Sequence, residues 1–151
     1  MRMAFLDADE LGQWRRPHGV HQQWQDLGAG LLMTLAQQYG YAFESISLKG
    51  LNVWAEWRLI AKRLDVLCMN VRSWRFETAK RAAEIAKDTN PSVQVWVGGM
   101  HCTAAANEVE SVPEFDAIVQ GPGEEALLSL LEGSSPAQRV IRGTLSQYSD
   151  P

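Results

Sequence analysis

The sequence predicts an α/β domain in which a five-stranded parallel β-sheet carries helices on both faces. Five short apolar segments alternate with five segments whose apolar residues recur at helical spacing. Turn or loop residues follow every strand, as in consecutive β-α units. The 151 residues are 46% hydrophobic and 21% charged. A chain of this length buries about 68–70% of its unfolded surface, enough for one core without disulfides or a structural metal.

The first half of the chain contains two β-α units. Residues 2–6 form a short apolar strand, and the apolar positions of residues 24–39 then recur at helical spacing until Gly40 ends the helix. Residues 41–48 alternate apolar and polar side chains, which is typical of a half-buried strand, and residues 51–63 have helical composition. The chain therefore begins as β-α-β-α.

The second half contains three further units. Strands are predicted over residues 65–69, 93–97 and 115–119, and the first of these is a continuous apolar run. The helix after the first of them starts near Phe76, with Ser73 as its N-cap, and ends where Asn90-Pro91 breaks the chain. The other two helices are predicted over residues 103–110 and 126–131, the last closed by Gly133. The domain is thus expected to span residues 1–133, followed by a loosely ordered tail over residues 134–151.

Composition and charge exclude several classes of function. Cys68 and Cys102 are too few for a disulfide framework and lack the spacing of a zinc site. The longest nearly apolar run, residues 29–36, is far shorter than the ~20 residues of a membrane span. Acidic residues outnumber basic ones 18 to 14, and no run of basic residues is longer than a pair such as Arg15-Arg16. We therefore expect a cytoplasmic domain that binds neither membranes nor nucleic acid.

Ligands of parallel α/β sheets bind at the carboxyl ends of the strands, so the loops there are the candidate site. The first loop, from Asp7 to about residue 23, is much longer than the usual connection of about two to six residues. Gly98-Gly99 and the Gly-Pro-Gly-Glu turn after the fifth strand could admit a ligand close to the backbone. Plain tight turns are the alternative explanation for both. Neither glycine turn matches a known nucleotide-binding motif.

No self-sufficient catalytic or metal site is predicted. Cys68 lies inside an apolar strand and is expected to be inert. Cys102 beside His101 is a weak candidate for a catalytic pair, because no third orienting group is evident. His18 and His21 could ligate a metal on a helix, but they lie in a predicted loop with few carboxylates nearby, so solvated histidines are the simpler interpretation.

The second half of the chain resembles a known family. Four of the family's motifs occur in order: Asp65-Val-Leu-Cys-Met-Asn70, Asn90-Pro91, Val97-Gly-Gly-Met-His-Cys-Thr103 and Asp116-Ala-Ile-Val-Gln-Gly-Pro-Gly-Glu124. In the same order, the family that they resemble has a third strand that begins with Asp, an Asn-Pro pair that ends the following helix, the motif G-G-x-H-x-T, and the motif D-x-x-x-x-G-E-G-E. The family is the cobalamin-binding (B12-binding) domain that precedes the catalytic domain in radical S-adenosylmethionine enzymes. The resemblance covers residues 64–133 by motif and residues 1–63 by topology only.

This chain departs from the family pattern in three places. The Gly-Pro-Gly-Glu turn keeps both glycines and the last acid of G-E-G-E, so its geometry is expected to survive. Cobalamin proteins that bind the cobalt through a histidine have the motif D-x-H-x-x-G, and in this chain Asp9 stands at the place of that histidine. The resemblance therefore implies base-off cobalamin without a histidine ligand. His18 and His21 lie in the same loop. The C-x-x-x-C-x-x-C of an iron–sulfur cluster is absent, which places the [4Fe-4S] cluster and S-adenosylmethionine in a domain outside this chain.

The resemblance implies a flavodoxin-like three-layer sandwich with strand order 2-1-3-4-5 that carries cobalamin without being catalytic itself. Its partner would be a radical S-adenosylmethionine domain, in the same chain or in a separate one, of methyltransferase or oxidoreductase/cyclase type. The implied cofactor-binding residues are Asp7, Asp9 and Gly12 below the corrin, Asn70, Val71, Arg72, Ser73, Gly98 and Gly99 along the nucleotide tail, and His101, Gly121, Gly123 and Glu124 at the rim. Trp14 and Trp74 are candidates for packing on the corrin, with ordinary partial burial as the alternative.

Two other functions fit parts of the sequence. A receiver domain shares the topology and has paired acids after its first strand, but it needs Asp and Lys where this chain has Asn70 and Gln120. A degenerate cobalamin-fold domain that has lost the cofactor and contacts only a protein partner is compatible with the altered Gly-Pro-Gly-Glu turn. Fold alone does not decide between the cobalamin carrier and this interaction module.

Overall fold

The computed structural model describes residues 1–7, 27–48, 52–133 and 138–144. Within these ranges the strands are β1 (Met3–Leu6), β2 (Phe43–Ile46), β3 (Val66–Asn70), β4 (Gln94–Gly98), β5 (Ala117–Gln120) and β6 (Val140–Arg142). The helices are α1 (Leu27–Gln38), α2 (Val53–Ala61), α3 (Phe76–Thr89), α4 (Met100–Ala104), α5 (Ala106–Glu110) and α6 (Glu124–Leu131). None of these helices is long and apolar enough to cross a membrane.

The strands form one parallel sheet in the order β2-β1-β3-β4-β5-β6. The predicted flavodoxin-like arrangement and the order 2-1-3-4-5 are therefore confirmed. The predicted strand number is wrong, because the region expected to be a loose tail contributes β6, whose Val140 pairs with Ile118 and Ile141 with Val119. A strand of three residues is too short to show the alternation by which strands are recognised in a sequence.

Alternation along the strands builds two apolar layers. Ala4, Leu67 and Val95 face the layer of α2, α3, α4 and α5, whereas Phe5 and Cys68 face the layer of α1 and α6. Fully buried alanines form the inner face of α3 and let this helix lie close to the sheet: Ala79, Ala82, Ala83 and Ala86. These layers leave the carboxyl ends of the strands as one edge of the domain.

Two local predictions need correction. Ser73 is not the N-cap of α3, because a turn of 3₁₀ helix over Ser73–Arg75 precedes that helix and Ser73 bonds to His101 instead. The single helix predicted over residues 103–110 is two short helices, α4 and α5, separated at Ala105.

Candidate functional site

A cavity of about 210 Å³ lies at the carboxyl edge of the sheet, between the sheet and the layer of α1 and α6. Its lining is mostly apolar and comes from three sources. The strands contribute Phe5, Cys68, Met69, Asn70, Trp96, Val97, Gly98 and Val119; the helices contribute Gly28, Ala29, Leu31, Leu32, Leu127 and Leu130; the turns contribute Gly99, Gly121, Pro122, Gly123 and Glu124. A half-open, mostly apolar space of this kind is suited to a flat, largely apolar part of a ligand.

The two residues of Gly98-Gly99 serve different purposes. A Cβ added to Gly98 would meet only Val119, at 3.7 Å, so the missing side chain here leaves space in the cavity. Gly99 has φ +108° and ψ −176°, a conformation available essentially to glycine alone, and a Cβ would overlap Asn70 Oδ1 and lie 2.9 Å from the Val71 carbonyl oxygen. Gly99 is thus required by the turn.

Backbone hydrogen bonds join this turn to the end of β3. The Val71 amide donates to the Gly98 carbonyl at 2.7 Å, and the His101 amide donates to the Val71 carbonyl at 3.2 Å. Because both bonds run between backbone groups, the positions of Asn70 and Gly99 at the cavity depend little on side-chain rotamers.

The turn between β5 and α6 forms the mouth of the cavity, and we call residues 121–124 the mouth loop. Gly121 has φ +78°, and its amide donates to Thr103 Oγ1 at 3.0 Å. Gly123 approaches Leu32 of α1, which an added Cβ would meet at 3.5 Å. Glu124 Oε2 is buried and has no hydrogen-bond partner among the described residues. A buried acceptor without a donor is costly, so the mouth loop offers a ligand one strong acceptor.

His101 does not line this cavity and lies on the α3 side of the turn. Its ring is buried, 4.8 Å from the ring of Phe76, and Nδ1 is 2.9 Å from Ser73 Oγ. Nε2 lies 3.2 Å from Glu108 Oε2, within ion-pair distance but without hydrogen-bond geometry. The predicted rim residue therefore connects the loop after β3 to α4 and α5.

The other predicted site residues fall into three groups. Asn70 lines the cavity, whereas Val71 is buried in the core on the α3 side and neither Arg72 nor Ser73 reaches the cavity. Asp7 lies at the end of β1, half-buried, with its amide donating to Ile46 O at 2.9 Å. The remaining predictions lie outside the described residues: Asp9, Gly12, Trp14, His18, His21 and the side chain of Trp74.

Sequence reasoning missed the helical wall of the cavity. Leu31 and Leu32 of α1 and Leu127 and Leu130 of α6 were expected only to form core-facing helix surfaces. Nothing in the sequence separates these leucines from core residues, since adjacent apolar positions such as Ala82 and Ala83 of α3 are both buried, whereas Leu31 is 59% exposed. Pro122 also lines the cavity, at its mouth.

The described residues contain no cluster of three side chains that could hold a metal ion. Burial raises the pKa of the Cys68 thiol far above its usual value and raises that of Cys102 to about 12. Both thiols are therefore protonated at neutral pH, and the thiolate is the reactive form. Cys68 is a buried core residue of β3, as predicted, and the weak Cys102–His101 pair is not supported.

Comparison with known proteins gives two similarities. The family model described as B12 binding domain matches residues 19–131, which is more than half of the chain. The anaerobic magnesium-protoporphyrin IX monomethyl ester cyclase of Rubrivivax gelatinosus is 41% identical over 54 residues, which cover 35% of this chain and 10% of the cyclase. The chain thus spans about a tenth of the length of this curated relative.

Proposed function

The chain belongs to the B12-binding domain family, and we propose that it carries cobalamin for a radical S-adenosylmethionine catalytic domain. The observation that supports this most is the apolar cavity at the carboxyl edge, where parallel α/β sheets bind their ligands. In this proposal the nucleotide tail of cobalamin enters the cavity and the corrin ring lies over the loops outside it.

The size and chemistry of the cavity fit the base of the nucleotide tail. An apolar cavity of about 150 Å³ accommodates a benzene ring, so a space of about 210 Å³ admits the six-membered ring of dimethylbenzimidazole, and the open side of the cavity leaves room for the rest of the base. Trp96 and Leu127 provide apolar contacts, and Gly98 keeps the space open. Glu124 Oε2, which lacks a donor, would accept a hydrogen bond from a hydroxyl of the tail.

Exposed apolar side chains near the cavity suit a corrin ring above it. Leu31 at the cavity is 59% exposed, and Met100, directly after Gly99, is 75% exposed. A corrin lying over these loops would cover both. When bound, cobalamin would supply the alkyl-transfer or redox chemistry of its cobalt. The residues of this chain would bind and orient the cofactor, and both cysteine thiols are buried and protonated, so neither is available as a nucleophile.

The cyclase match supports a parent enzyme of the cyclase type. That relative is named an anaerobic cyclase, and anaerobic conditions suit oxygen-sensitive radical chemistry. We propose that the [4Fe-4S] cluster and S-adenosylmethionine belong to a catalytic domain outside these 151 residues, in the same chain or in a separate one. Methyl transfer is the alternative reaction type.

The direct test is thermal unfolding with and without cobalamin. A ligand that binds only the folded state adds about 2.7 kcal/mol of stability at a hundredfold excess over Kd. For a domain of this size we expect Tm to rise by about 5–10 °C. A melting curve unchanged up to millimolar cobalamin would reject the carrier function and favour the interaction module.

We further propose that bound cobalamin has no histidine ligand. His101 is packed against Phe76 and Ser73 on the α3 side, and Asp9 stands at the place of the ligating histidine in the sequence. The electron paramagnetic resonance spectrum of cob(II)alamin bound to the protein should therefore show no nitrogen splitting along the axial direction. Triplet splitting that disappears in His18→Ala or His21→Ala would contradict this prediction, and His101→Ala is the matched control.

A further inference from the structure

Strand β6 lies outside the residues that the family model matches, and its end reaches the mouth loop. The Gly143 amide donates to the carbonyl of Gln120, the residue before the loop, at 2.7 Å. Thr144 Oγ1 donates to Oε2 of Glu125, the residue after the loop, at 2.8 Å. Residues 143 and 144 therefore hold both ends of the mouth loop.

Gly143 also packs directly against the middle of this loop. A Cβ added at this position would overlap the carbonyl oxygen of Pro122 and lie 2.7 Å from its carbonyl carbon. The φ angle of Gly143 is outside the left-handed range, so alanine could adopt this backbone conformation. Glycine is therefore needed at position 143 because the backbone there lies too close to the backbone of Pro122 for a side chain to fit.

The other end of β6 is anchored just as firmly. Arg139 donates from Nε to the Phe115 carbonyl at 2.6 Å and from Nη1 to the Glu110 carbonyl at 2.7 Å, and its Nη2 donates to the Val112 carbonyl. Three hydrogen bonds from one guanidinium hold the start of the strand on the connection between α5 and β5. A strand fixed at both ends acts as a rigid support for what it touches.

We propose that Gly143 is a positioning residue for the nucleotide tail and that the segment 138–144 supports the tail site from outside the cavity. This inference rests on the proposed function. Gly121, Pro122, Gly123 and Glu124 all line the cavity, so a shift of Pro122 changes the shape of the mouth and moves the Glu124 carboxylate. The support that holds Pro122 in place therefore contributes to cobalamin affinity without contacting cobalamin.

The test measures the affinity of the full chain for two corrinoids. Cobalamin has the nucleotide tail and dicyanocobinamide lacks it. Gly143→Ala displaces Pro122 and so changes the shape of the mouth, which should raise the Kd for cobalamin about tenfold, or about 1.4 kcal/mol, and leave the Kd for dicyanocobinamide unchanged. Gly30→Ala is the matched control, because a Cβ there meets nothing within 4 Å and Gly30 does not line the cavity. An unchanged Kd for cobalamin in Gly143→Ala would overturn the proposal.

Amide hydrogen exchange separates this inference from the proposed function. In the full chain without cobalamin, Gly143→Ala should speed exchange in residues 121–125 and leave β1 and β3 as protected as in the wild type. Unchanged exchange in the mouth loop, or faster exchange throughout the sheet, would overturn the positioning role. A wild type that binds no cobalamin would reject the proposed function, while the exchange result still decides whether β6 holds the loop.

Discussion

Replacing Gly98 by valine is expected to weaken cobalamin binding about a hundredfold, or about 2.8 kcal/mol, and to leave the protein folded without cobalamin. Gly98 ends β4 on the face toward α1 and α6, and it lines the cavity. A valine side chain would fill space that the base of the nucleotide tail needs. The measurement is titration with cobalamin, followed by tryptophan fluorescence or by the absorbance of the corrin.

The fold should tolerate this substitution for two reasons. The φ angle of Gly98 is outside the left-handed range, and a Cβ there meets Val119 at the ordinary contact distance of 3.7 Å. Replacing glycine in a strand also gains about 0.5–1 kcal/mol of stability, so Tm without cobalamin should stay level or rise. Gly98→Ala, which adds less volume, should give an intermediate Kd. Wild-type affinity in Gly98→Val would show that the tail does not enter the cavity.

The sequence could predict the edge of the sheet where the site lies, because that edge follows from local patterns. Alternating and continuous apolar segments identify the first five strands, and Gly98-Gly99 directly follows one of them. In a parallel sheet the carboxyl ends of all strands lie along the same edge. The orientation of each strand residue toward one layer or the other also follows from the period of two.

The parts that could not be predicted depend on contacts between distant residues. The sequence Gly-Gly does not show whether each glycine leaves space for a ligand or allows a positive φ angle. In the structure Gly98 leaves space, and Gly99 has the positive φ angle. The resemblance places His101 at the rim, and only the structure shows that its ring packs against Phe76 on the α3 side. Strand β6 depends on Arg139, whose carbonyl partners are more than 20 residues away.

Gly99→Ala should destabilise the folded protein by about 3 kcal/mol, which lowers Tm by about 6–12 °C. The φ and ψ angles of Gly99 belong to a region that costs about 1–3 kcal/mol for other residues. Steric overlap adds about 1–3 kcal/mol, because the Cβ would lie 2.9 Å from the Val71 carbonyl oxygen. The measurement is urea unfolding without cobalamin. Gly98→Ala at the neighbouring position is the matched control, and its free energy of unfolding should not fall.

A double-mutant cycle with Asn70→Ala identifies which overlap matters. The overlap at Asn70 is with the end of a side chain that has rotatable bonds, whereas the Val71 carbonyl belongs to the backbone and accepts a hydrogen bond from the His101 amide at 3.2 Å. We therefore expect Asn70→Ala to recover little of the loss, with a coupling energy within about 0.5 kcal/mol of zero. Full recovery would assign the loss to the Asn70 side chain instead of the backbone. Because the strain is in the backbone, substitutions at Gly99 report on folding, and those at Gly98 report on cobalamin.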